Sequence, residues 1–265
     1  MSGVWAWTLI EGVFREGASV PVTDRGFRYG MSVFETMAVR RGSILFLNQH
    51  LDALKMACAE AGLGAGNPEA LGALEGLPDG LLRVYITAGD GGAGTSMRNC
   101  RTFAFFEPAE FPGSAEVSRG ARIGISREPR VPALGGWKTG NYWSHVRAFA
   151  GARAKGLDEV LVLDTEGAVI SASMANVFFA FGSELRTPAA RLGARRGVIR
   201  EWVKQMTPVE ESFLSLRDIE AADECFLTNS RIGVMPVAQI EARRLPSRSR
   251  GETLAALYRE KVIDQ

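Results

Sequence analysis

Apolar and polar positions alternate with near period two over residues 32–39 (SVFETMAV), which predicts a strand with Phe34 and Thr36 on one face. After an Arg41-Gly42 turn, residues 43–47 (SILFL) read as its paired strand. The period then changes. Leu51, Leu54, Cys58 and Ala61 recur at three and four residues, the spacing of an amphipathic helix that ends at Gly62. Residues 82–87 and 102–106 read as strands flanking a glycine-rich turn, GDGGAG, at 89–94. That turn opens no helix and does not fit a phosphate-loop pattern, so a hairpin loop is the better reading.

Residues 108–114 (PAEFPGS) hold two prolines and a glycine between strand-like runs. They read as a linker between a small domain at 1–107 and a second domain at 115–265. The second half predicts strands at 121–126, 159–164, 168–173, 176–181 and 224–228, with helices at about 144–155 and 197–206. The chain is a mixture of helix and strand in two unequal halves.

Charge and composition narrow the function. With 31 basic and 30 acidic side chains the net charge is +1, which provides no general attraction to nucleic acid or to an anionic membrane. The basic clusters Arg195-Arg196 and Arg243, Arg244, Arg248, Arg250 read as solvated faces. Three widely spaced cysteines and two histidines, His50 and His145, argue against a zinc site or a disulfide framework and for a reducing compartment. No signal peptide and no apolar run of roughly 20 residues is present, so a soluble, cytoplasmic protein is expected.

Two stretches carry candidate chemistry. Gly197, opening a helix at GVIR, exposes backbone N–H groups that suit an anion. The stretch GGWKTGNY at 135–142 places Lys138 among glycines and aromatic residues. It is either an ordinary loop lysine or a partly desolvated amine suited to nucleophilic work, since burial favours the neutral form.

A longer pattern separates these readings. The run DRGFRYGMSVFET at 24–36 resembles the opening motif of class IV aminotransferases, pyridoxal-phosphate enzymes of fold type IV. LNQHLDAL at 47–54, the run from WKTGNY at 137 to ANVFF at 179, TPAARLGARRGVIR at 187–200 and ADECFLTNSRIGVMPV at 222–237 resemble that family's later blocks, in order. The resemblance implies an α+β fold: a small N-terminal α/β domain, a larger C-terminal domain with a β-barrel-like core, and a homodimer. It implies pyridoxal 5'-phosphate as cofactor, with Lys138 as the Schiff-base lysine. Tyr142 would hold the cofactor's phenolic oxygen. Val198 and Ile199 would offer N–H groups to the phosphate, with Asn229 and Ser230 closing the phosphate site. Tyr29, Phe34 and Thr36 would line the substrate face, with Arg83 as a carboxylate partner or an exposed strand residue. The substrate is expected to be a small amino-acid-like molecule.

Three positions depart from the family pattern. Its phosphate-binding arginine is Ala53 here, the glutamate that pairs with the pyridine nitrogen is Ser171, and a turn aspartate is Met31. Ala93 also stands where the family's glycine-rich turn commonly has arginine, and Arg195 or Arg196 would replace part of the missing phosphate clamp. Two readings follow. One is a working enzyme, resembling aminodeoxychorismate lyases more than the longer branched-chain aminotransferases. The other is a degenerate homologue that keeps the fold and has lost or repurposed the cofactor site.

Overall fold

The alternating run extends one residue beyond its pattern. β3 (Ser32–Arg40) pairs along its length with β5 (Gly80–Thr87), placing Phe34 opposite Tyr85 and Thr36 opposite Arg83. Both strands lie in the first of two units of the computed structural model, Met1–Glu110 with Trp137–Tyr142; the second is Phe111–Gly136 with Trp143–Gln265. The structure describes residues 4–97, 99–131 and 136–264.

The first unit is a six-stranded antiparallel sheet in the order β2-β1-β6-β5-β3-β4, with β1 (Trp5–Ile10), β2 (Val13–Glu16), β4 (Ser43–Ile44) and β6 (Arg101–Pro108). One face, with Val33, Met37, Val39, Leu82, Val84 and Ile86, packs into a core with the buried side of helix α2 (Leu47–Ala61). Strand alternation therefore puts Phe34, Thr36, Arg83, Tyr85 and Phe105 on the other face. The glycine-rich turn lies in the β5–β6 connection, as a hairpin loop.

Several local readings change. The strand expected over 43–47 stops at Ile44, because Phe46 turns with φ 54° and α2 starts at Leu47. The first two strands were hidden by WAWTLI, where apolar residues on both faces erase the alternation. The expected linker is partly structured: β6 runs through Pro108, and a short helix, α3 (Ser114–Arg119), begins behind Gly113, whose N–H donates to Glu116 at 3.0 Å.

The second unit is a nine-stranded mixed sheet. Its strands are β7 (Ala121–Ile125), β8 (Glu159–Leu163), β9 (Val169–Ala172), β10 (Asn176–Phe181), β11 (Glu184–Pro188), β12 (Glu210–Ser212), β13 (Glu224–Asn229), β14 (Gly233–Ile240) and β15 (Arg243–Arg244). Their order is β12-β11-β10-β13-β14-β7-β8-β9, with β15 on β14. Helices α4 (Trp143–Ala154), α5 (Val198–Met206), α6 (Leu216–Ala221) and α7 (Ser249–Tyr258) complete it. One core holds Ile123, Leu161, Val169, Val177, Phe179, Leu227 and Val237.

The C-terminal arginines are not merely a solvated face. Arg243 donates to the carbonyls of Ile219 and Ala222 at the end of α6, Arg248 to Ser118 and Arg119, and Arg250 to Gly182 and Ser183. Each satisfies carbonyls that helix ends and turns leave open. No described helix is long and apolar enough to cross a membrane.

Candidate active site

Lys138 is placed by its backbone. Its carbonyl accepts from Phe34 N–H at 2.9 Å, Gly140 N–H donates to Ser32 O at 2.9 Å, and Thr139 bridges Val33. The segment thus lies along the start of β3, where the short β4 does not reach. Glycine is needed there: a Cβ on Gly140 would strike the Ser32 hydroxyl, and one on Gly30 (φ 67°) would strike Asn141. Gly135, first of the quoted stretch, lies outside the described residues.

The Lys138 amine projects onto the sheet face opposite the core. Nζ is 3.4 Å from Thr36 Oγ1, 5.1 Å from the centre of the Phe34 ring and 6.0 Å from that of Tyr142. Phe34 stacks on Tyr85 at 4.7 Å and meets Tyr142 edge-on at 5.1 Å. Burial pushes the Tyr85 hydroxyl's pKa above its usual value. The predicted residues Phe34, Thr36, Lys138 and Tyr142 therefore share one place. Arg83 sits across from Thr36, but its guanidinium pairs with Glu107 and lies 5.3 Å over Phe105. Tyr29, on α1 (Arg25–Tyr29), is 43% exposed and its hydroxyl accepts from Arg28 at 2.8 Å.

In the second unit, Asn176 donates to Arg195 O at 2.7 Å and anchors the loop that leads into α5. Gly197 permits this approach, because a Cβ would collide with the Asn176 oxygen. No side chain caps α5, so Val198 and Ile199 begin the helix with backbone N–H groups available to an anion. Thr228 pairs directly across from Asn176, on the same strand face. Its hydroxyl is buried with no hydrogen-bond partner, a rare state for a polar group. The Asn229 side chain holds the local backbone: its oxygen accepts from Arg231 and Ile232 N–H at 2.9 and 2.8 Å, and its amide donates to Met174 O. Ser230 follows it at the β13–β14 turn, and Ser171 lies half-buried in β9 opposite Val162. Ala53 is buried on α2, among apolar neighbours in the helix's inward face.

The start of α5 is held by charge. Arg200, fully buried, donates to Pro188 O at 3.2 Å and pairs with Glu211 at 3.1 Å. Burial alone would raise the Glu211 pKa, but Ala190 N–H, Lys204 and Arg200 outweigh it and pull the pKa to about 2 from 4.5. A depressed carboxylate pKa adds stability that is complete above pH 4.5 and is lost as pH falls towards 2. With screening of this partly exposed group, the contribution is on the order of 1–3 kcal/mol. Glu211→Gln is accordingly expected to flatten the fall in urea-denaturation free energy between about pH 5 and pH 3. A variant with the wild-type acid slope would refute the assignment.

Some residues of the motifs prove to be architectural, which the pattern alone did not separate from chemistry. Arg25 is fully buried and donates to Ala88, Gly89 and Thr95 carbonyls, holding the glycine-rich loop. Asp24 accepts from Gly26 N–H and the Thr87 hydroxyl at 2.7 and 2.8 Å. Glu35 and His50 form a buried pair at 3.0 Å between β3 and α2. Thr228 and Glu159 both lie inside runs that resemble the family's blocks, but the pattern alone singles out neither, because a threonine inside an apolar strand and an acid at a strand start are ordinary residues there.

The chain has the architecture of fold type IV, the class of pyridoxal-phosphate enzymes that includes aminotransferases and lyases. An aminotransferase from Brucella abortus, solved with pyridoxal phosphate bound, superposes with a TM-score of 0.82 at 25% identity, covering 97% of this chain and 98% of that one. The amino-transferase class IV family model matches residues 32–240, and the chain belongs to that family. Aminodeoxychorismate lyase of Vibrio harveyi is 28% identical over 84% of this chain and 88% of its own length. A Methanocaldococcus jannaschii protein provisionally named a branched-chain-amino-acid aminotransferase is 28% identical over 95% of this chain and 93% of its own. Pyridoxal phosphate is the cofactor of this family. Whole-length agreement of this kind favours the working enzyme over the degenerate homologue.

Proposed function

We propose that this chain uses pyridoxal phosphate to eliminate pyruvate from aminodeoxychorismate, leaving 4-aminobenzoate. The observation that carries the cofactor reading is the Lys138 amine, fixed through its own backbone to β3 and set beside Thr36, Phe34 and Tyr142. The buried, unpartnered Thr228 hydroxyl, across from Asn176, and the uncapped start of α5 support a phosphate site in the second unit. When bound, the cofactor supplies an electron sink for the carbanion formed at the substrate's α-carbon.

Each residue has a defined task. Lys138 supplies the amine for covalent attachment and then carries the proton to and from the α-carbon. Thr36, Phe34 and Tyr142 orient that amine. Val198 and Ile199 N–H groups with the Thr228 hydroxyl hold the phosphate, while Asn176 fixes the loop before them. Asn229 holds the β13–β14 turn on which Ser230 is offered to the phosphate. Ser171 presents a neutral hydroxyl where a carboxylate would keep a pyridine nitrogen protonated, which weakens the sink and favours expulsion of a leaving group over transamination. Arg83, once drawn from Glu107, is the carboxylate partner on the aromatic face, and Tyr29 is a further substrate-facing residue of this reading.

The lyase named among the relatives supports elimination; the aminotransferase names support a second reading, transamination of an amino acid. The deciding assay supplies aminodeoxychorismate in one vessel and amino acids with 2-oxoglutarate in another. Rapid half-transamination with no pyruvate from the first vessel would defeat the elimination reading. Cytoplasmic residence, a homodimer and domains divided at 108–114 belong to the same proposal. Light scattering reading a monomer at working concentration would remove the homodimer.

Thr228→Val provides a separate check on the phosphate assignment. Removing an unpaired buried hydroxyl at nearly constant volume should leave stability unchanged or raise it by about 1 kcal/mol. Cofactor affinity should fall about five- to tenfold, the size of one lost hydrogen bond. Unchanged affinity by equilibrium dialysis would remove Thr228 from the phosphate site.

A further inference from the structure

The bend between β9 and β10 in the second unit closes on one buried carboxylate. Glu159, the first residue of β8, is 4% exposed. Its Oε1 accepts from Val160 N–H at 2.9 Å, from Ser173 N–H at 3.1 Å and from the Ser173 hydroxyl. Oε2 accepts from Met174 N–H at 3.0 Å. The network continues outwards. His145 on α4 donates Nδ1–H to Ser173 O at 2.7 Å, since a carbonyl can only accept. Asn229 donates to Met174 O at 3.0 Å and holds the β13–β14 turn with its other atom.

A buried carboxylate is tolerated only when donors surround it, and as a pure acceptor it dictates where each donor must point. Here three of the four donors belong to the bend at residues 173–175, between β9 and β10. Ser171 precedes that bend and Asn176, which anchors the loop before α5, follows it. We propose that Glu159 is the positioning residue of the cofactor site, fixing Ser171, Asn176 and Asn229 to one frame through the Ser173–Met174 backbone. This rests on the pyridoxal-phosphate reading above. Burial pushes the Glu159 pKa up, against four hydrogen bonds that favour the ionised form.

Glu159→Gln tests it, because the amide keeps the volume but turns an NH2 group against either Met174 N–H or the Ser173 donors. Cofactor affinity by equilibrium dialysis is expected to fall at least tenfold, with a shift in the absorbance maximum of the bound cofactor and in its pH titration. Ile219→Val, a core truncation on α6, is the control for general loosening and should leave that spectrum unchanged. Glu159→Gln binding and absorbing like wild type would overturn the proposal, as would an equal spectral shift from Ile219→Val. If Glu159→Gln does not fold, Ser173→Ala decides. A two- to fivefold loss with an altered spectrum supports the frame, and wild-type behaviour sinks it. Wild-type protein that takes up no pyridoxal phosphate would overturn the cofactor reading and this inference together.

Discussion

Lys138→Ala should abolish covalent capture of pyridoxal phosphate while leaving the fold intact. Borohydride reduction of the wild-type protein with the cofactor is expected to fix a pyridoxyl group on the peptide carrying Lys138, and on no other lysine in comparable yield. The variant should show no such peptide, and turnover should fall on the order of 10³-fold or more, because both covalent attachment and proton transfer lose their amine. Folding survives because the segment is anchored by backbone bonds, Phe34 N–H to Lys138 O and Gly140 N–H to Ser32 O, which alanine preserves. Pyridoxyl spread evenly over surface lysines, or unchanged in the variant, would show that Lys138 is a loop lysine after all.

Arg200→Met should be the most damaging single change to stability. The guanidinium is fully buried and links Pro188 O, Glu211 and Glu201. Breaking a buried ion pair from one side costs about 3–5 kcal/mol, because the partner loses its counter-charge while desolvation remains. Glu211 is partly exposed and keeps Lys204 and Ala190 N–H, which places the effect near the lower end, about 3 kcal/mol. For a chain of this size that lowers the melting temperature by roughly 6–12 °C. The double variant Arg200→Met with Glu211→Gln should lose less than the sum of the two single changes. Strict additivity would show that the pair contributes no coupling. Because Arg200 stands three residues after Gly197, the same variant should also weaken cofactor binding, by disturbing the helix start that offers its N–H groups.

The local structure was legible where one period ruled and a turn residue closed it. The strand at Ser32, the helix ending at Gly62 and the helix opening at Gly197 all appear where the apolar spacing puts them. WAWTLI failed as a signal because both faces are apolar, and 43–47 failed because Phe46 adopts a left-handed backbone that nothing in its side chain demands. Motif order alone determined the family and singled out Lys138. It could not separate residues that do chemistry from residues that hold the loops, since Arg25 and Lys138 sit in equally distinctive runs. That division depends on partners distant in sequence. Lys138 meets Thr36 across 102 residues, Arg25 reaches Thr95 across 70, and Asn229 reaches Met174 across 55. A buried polar group takes its meaning from whichever donor or acceptor the fold brings within about 3 Å, and a one-dimensional pattern carries no such information. The sequence by itself determined the family and singled out Lys138 as the candidate lysine. Only the tertiary structure decided that the Thr228 hydroxyl is buried without a hydrogen-bond partner, that the Asn229 side chain holds a turn, and that Glu159 accepts from the bend after Ser171.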